Sequence, residues 1–266
     1  MTPEEIEPRV SAAIRLLQET VDDTLLCPRA VFALDQVLLM VTSKALRIGL
    51  AVCQLIAAGF YGEAFGLTRS ILEAFFIVKY VSSKQTEDRA RSYLEFSKVY
   101  FYNQEELRKK HFPHIERPSW LTQDMLDEVK KMFPNTRHWI PAYSMATDYY
   151  DHPLEINPKT GKGFQALSDY EGIYEMTSHY VHVTAISSNA NFDASPFKTA
   201  KRDKEEDRGI LALHFTLVYI YEICIVLGRQ WSCDLPASVN QTIQTLLGDL
   251  QGVSSVTERG VWTVGS

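Results

Sequence analysis

Two short patterns hold the side chains best able to do chemistry. The first is Arg69 and Glu73, four residues apart in YGEAFGLTRSILEAFFIVKYV, residues 61–81. The second is Tyr170, Tyr174, Ser178 and His182, at strict four-residue steps in DYEGIYEMTSHYVHV, residues 169–183. Residues four apart stack along one face of a helix. Each pattern therefore predicts a polar ladder.

At 100° per residue, Leu67, Ile71, Leu72, Ala74, Phe75, Phe76 and Val78 cover most of the first helix. A helix apolar nearly all round is a buried helix. Arg69 and Glu73 occupy the remaining stripe beside Gly62, Gly66, Ser70 and Tyr80. Opposite charges withdrawn from water must pair and be hydrogen-bonded. If the pair is buried, Arg69→Ala should cost about 3–5 kcal/mol by stranding Glu73.

Two accounts of this constellation stand side by side. In the functional one, His182 is a general acid or base oriented by Glu73, and Ser178 bridges to them. Arg69 holds a small anionic ligand, with Tyr174 beside it. In the plainer one, the same residues form an interhelical polar lock. Glu171, Glu175 and His179 fall within an arc of roughly 100° with Ser178 and His182. A solvated face explains those three equally well.

Arg69-x3-Glu73 inside an apolar helix, followed far downstream by Tyr174-x3-Ser178-x3-His182, resembles a family of bacterial all-helical proteins. That family is classed as a domain of unknown function, and Arg-x3-Glu and Ser-x3-His helices recur in it. The resemblance spans roughly residues 30–215. It implies that Arg69, Glu73, Ser178 and His182 belong to one constellation, and it supplies no reaction.

A weaker resemblance is to HEPN ribonucleases, small helical bundles with Arg, four to six residues, then His on a late helix. Arg208-x5-His214 fits that spacing, and so does Arg108-x5-His114. The family usually places a polar residue after the Arg, where this chain has Gly209. The resemblance would imply a homodimer used as a toxin or in phage defence. Arg208 would bind phosphate, and His214 would act on the 2′-hydroxyl.

A carboxylate and histidine metal site is a third reading, from Glu171, Glu175, His179 and His182 with Glu73, Glu95 and Glu222. Di-iron bundles need Glu-x2-His on two helices, and the chain has no Glu-x2-His. No metal ligands are assigned, and no cofactor is expected. Ser178 lies on a regular helix, without the strained turn of a hydrolase nucleophile. Gly161-Lys162-Gly163 is a turn rather than a phosphate-cradling loop.

The elements that must position these residues are all helical. Apolar residues at 3.6-residue spacing predict helices over about 2–26, 30–58, 61–81, 86–112, 121–132, 166–185, 204–231 and 236–250. Ser119 or Thr122 would cap the fifth. No run alternates at period two. The fold class expected is all-α, an irregular multi-helix bundle around the buried helix at 61–81. One domain is expected over 1–252, with a flexible tail at 253–266. The loop at 133–164 would be pinned by Trp139, Tyr143, Tyr149 and Tyr150.

Composition sets the outer bounds. The chain is 45% hydrophobic and 23% charged, with 27 Lys and Arg against 33 Asp and Glu, a net charge of −6. That balance argues against a general nucleic-acid surface. Cys53 and Cys224 lie in apolar runs and read as core residues in a reducing, cytoplasmic setting. The N-terminus MTPEEIEPRV does not read as a signal peptide. The longest uncharged stretch, 48–62, falls short of the ~20 residues of a bilayer span, so no membrane is expected.

Overall fold

The computed structural model describes residues 2–25, 32–134, 139–140, 142, 144–145, 173–174, 177–178 and 200–261. Among the described residues, eight helices of ten residues or more follow in order: α1 (Pro3–Leu25), α2 (Ala33–Ala57), α3 (Tyr61–Ser83), α4 (Thr86–Phe96), α5 (Lys98–His111), α6 (Gln123–Met132), α7 (Ala200–Gln230) and α8 (Ala237–Val261). The fold is all-α, with no strand among the described residues.

α3 is buried along a broad face, with Phe65, Ile71, Leu72, Phe76 and Val78 in the core. It packs between α2 and α7. α7 shares the central position, because it also touches α1 and α8. α2 and α7 run antiparallel. Gly49 faces α7 closely, where a Cβ would stand 2.4 Å from Ile220 Cδ1 and 3.1 Å from Ile14 Cδ1 of α1. Cys53 and Cys224 are core residues, 1% exposed each, and burial pushes both thiols up to about 12.

The start of α2 is built by side chains from far away. Phe32 at its N-cap offers no side-chain cap. Glu87 of α4 supplies one, accepting from Ala33 N at 3.1 Å and Leu34 N at 3.3 Å. Burial presses the Glu87 carboxyl upward, but these N–H groups and Arg91 hold it below the usual carboxylate range. Asp35 is fully buried and accepts from Phe32 N at 3.0 Å and Trp231 Nε1 at 3.1 Å. It thus ties the first turn of α2 to the end of α7.

The helix expected over 86–112 is interrupted at Ser97. The Ser97 hydroxyl donates to Leu94 O at 2.7 Å, and the backbone tightens to a Ser97 N to Leu94 O bond of 3.2 Å. Serine competes in this way for nearby carbonyls and bends helices. α5 then pairs with α6 away from the main core, around Val99, Val129 and Phe133. Thr122 caps α6, its hydroxyl accepting from Met125 N at 3.3 Å. Trp139 pins its part of the long connection, donating to Ser92 Oγ at 3.0 Å and meeting Tyr93 edge-on. Tyr143, Tyr149 and Tyr150 lie outside the described residues. α8 continues to Val261, past the end expected near residue 250.

By length and composition, α2 and the 206–230 part of α7 could each cross a bilayer. The uncharged-run criterion missed them, because a span tolerates a charge or two within its window. Here both helices contribute residues to one core. Length and composition fit a core helix as well as a span.

Candidate functional site

Arg69 and Glu73 lie one turn apart on α3, and Tyr174 comes to them from a stretch in which Ile173, Tyr174, Thr177 and Ser178 are helical. Arg69 Nε donates to Glu73 Oε1 at 3.2 Å. Arg69 Nη2 donates to the Tyr174 hydroxyl at 2.8 Å, and that hydroxyl donates to Glu73 Oε1 at 3.0 Å. The three side chains close a ring of hydrogen bonds. The guanidinium carbon also lies 4.6 Å from the Tyr174 ring centroid, within cation–π range. The Tyr174 ring packs near Phe76, centroids 6.4 Å apart.

Burial and the Glu73 charge push the Tyr174 phenol above its ordinary value, against the opposing pull of Arg69. Tyr174 therefore stays protonated at neutral pH and acts as a donor, not a base.

The pair is less withdrawn from water than its apolar helix predicts. The Arg69 side chain is 21% exposed and that of Glu73 40%. The reason is geometric: α2 and α7 cover the apolar faces of α3, leaving its polar stripe at the rim. The 3–5 kcal/mol figure for a stranded buried carboxylate does not apply here, because water can reach Glu73.

Ser178 is on the same segment, but its hydroxyl donates to its own helix, to Tyr174 O at 2.5 Å. Thr177, fully buried, does likewise to Ile173 O at 2.8 Å. The structure thus brings Arg69, Glu73 and Tyr174 together and leaves Ser178 bonded within its segment. His182, Glu171, Glu175 and His179 lie outside the described residues. Among the described residues, no group of His, Cys, Asp and Glu is placed to hold a metal. Glu222, a candidate metal carboxylate, instead accepts from Lys79 Nζ at 3.3 Å.

Arg208 and His214 lie half-buried on α7. Gly209 between them has a packing cause, since a Cβ there would stand 2.9 Å from Pro3 Cγ and 3.0 Å from Tyr61 Cδ1. The residue after Arg208 thus faces the α1–α3 junction. Burial holds the His214 imidazole below its ordinary 6.5. A base with a depressed folded pKa stabilises the fold fully above the unfolded value and loses that contribution as pH falls through it. Urea midpoints should therefore drop between about pH 7 and 5, and His214→Gln should flatten that slope.

Sequence patterning missed an ion pair with a buried carboxylate. Glu105 of α5 is 2% exposed and takes a bidentate grip from Arg108, at 2.7 Å from Nε and 2.9 Å from Nη2. Arg108 holds the Glu105 carboxyl below its usual range. Nothing in the spacing separates this pair from an exposed i,i+3 pair.

The family model that matches the chain, a family of unknown function (DUF5677), covers residues 35–199. No curated protein and no solved structure matches the chain.

Proposed function

The chain belongs to this family of unknown function, and from that premise we propose that the Arg69–Glu73–Tyr174 ring is an interhelical lock. It fastens the segment carrying Tyr174 and Ser178 onto α3. The observation that carries this reading is the Tyr174 hydroxyl, which accepts from Arg69 and donates to Glu73 at once. Such reciprocal satisfaction fixes geometry and leaves no catalytic demand on the ring. A cytoplasmic location goes with this reading, supported by the contribution of α2 and α7 to one core.

A second reading, binding of a small anion by Arg69, is favoured by the partial exposure of that side chain. His182 would then act as acid or base, with Glu73 orienting it and Ser178 beside it.

Two substitutions separate these readings. Under the lock, Tyr174→Phe and Arg69→Ala each cost about 1 kcal/mol, the size of a net hydrogen bond in a partly exposed setting. A double-mutant cycle should show them strongly coupled. Under the ligand reading, inorganic phosphate raises the melting temperature of the wild type, and Arg69→Ala abolishes that rise. Additive losses from the two substitutions, with no phosphate effect that Arg69→Ala removes, would sink both.

A further inference from the structure

A cleft of about 520 Å³ opens between the end of α5 and the start of α6. Its walls include Arg108, His114, Glu116, Arg117, Thr122 and Gln123. The volume suits a small molecule.

The loop that forms one wall is locally basic, although Lys109 pairs with Glu106. Residues 108–117 read RKKHFPHIER, four Lys and Arg and two His against one Glu, on a protein of net charge −6. The two arginines play different parts. Arg108 is neutralised by buried Glu105, and its Nη1 donates to Ile115 O. It is therefore a strut that fixes the loop carrying His114 and Arg117. Arg117 is half-buried and donates to the neutral Gln123 Oε1 at 3.0 Å. Among the described residues it has no carboxylate within ion-pair distance. Arg117 feels the Glu105 carboxylate, already gripped by Arg108, and shares the cleft with Glu116, but its remaining N–H groups make no direct ion pair and are a fork for a planar or tetrahedral oxyanion.

We propose that this cleft binds the phosphate group of a small phosphate monoester. Arg117 grips the oxygens through its remaining donors, and His114 adds a further donor. The amino end of α6 lies at the wall and adds favourable dipole charge. Glu116 is the one carboxylate among the lining residues, and it opposes the ligand. The site is separate from the Arg69 ring and does not depend on it.

The test is calorimetric titration of the full chain with inorganic phosphate and with phenyl phosphate, against sodium chloride at equal ionic strength. Expected are saturable binding of both, weakening of about tenfold or more in Arg117→Ala, and a gain of a few-fold in Glu116→Gln. Arg69→Ala should leave the affinity unchanged. Tighter binding of phenyl phosphate than of phosphate would point to an organic ester, and equal binding to the free ion. Absence of saturable binding overturns the proposal. So does binding that survives Arg117→Ala, or that is lost in Arg69→Ala. Circular dichroism melts of each variant confirm that a loss reflects the cleft and not unfolding.

Discussion

Phe76→Ala is expected to lower stability by about 3–5 kcal/mol, the cost of emptying an aromatic-sized space in a packed core. Phe76 is 2% exposed, and its ring lies 5.9 Å from that of Phe75 and near that of Tyr174. The substitution therefore removes core volume and also the apolar backing of the Tyr174 ring. Phe76→Leu, which refills much of the space, should cost considerably less, about 1–1.5 kcal/mol. Urea denaturation reads both, as a fall in midpoint with an unchanged m-value. If the alanine variant melts like the wild type, α3 does not bury this face.

Asp35→Ala is expected to cost about 3 kcal/mol. The carboxylate is fully buried and accepts from Phe32 N, Trp231 Nε1 and, at 3.4 Å, Gln230 Nε2. Hydrogen bonds to a charged group contribute about 1.5–3 kcal/mol each and are not additive. Their loss leaves the indole N–H without its acceptor. Asp35→Asn keeps one acceptor oxygen and should recover part of the loss. Trp231 fluorescence reports the site directly, and its emission should shift in Asp35→Ala before global unfolding. A variant with native stability and native emission would mean the tie between α2 and α7 is unimportant.

Much of this could be read from residue order. The helical spacing of Leu67, Ile71, Leu72, Phe75 and Val78 gave α3 and its buried face, because periodicity records which side meets the core. Arg69, Glu73 and Tyr174 stood out because polar groups at four-residue steps interrupt that pattern. The degree of exposure was not readable. It depends on how far α2 and α7 wrap around α3, and no local pattern encodes that. Asp35 and Glu87 were invisible for a similar reason. Each looks like an ordinary acid near a helix start, and its importance comes from partners on other helices. Ser97 was passed over because serine is common within exposed helices, and its hydrogen bond to Leu94 O becomes evident only once the backbone is placed. Ser178 fitted the spacing of the constellation, yet its hydroxyl serves its own backbone. Spacing gives a direction for a side chain but not its hydrogen-bond partner.

The cap that Glu87 places on α2 also bears on synthesis. Ala33 and Leu34 leave the ribosome more than fifty residues ahead of the carboxylate that accepts from them. Until α3 and α4 have followed, the leading turn of α2 must rely on water and on Asp35 alone. The first pair of helices should consequently stay loose on the emerging polypeptide and settle only when the α4 turn is released, making the Glu87 contact a checkpoint in the order of assembly.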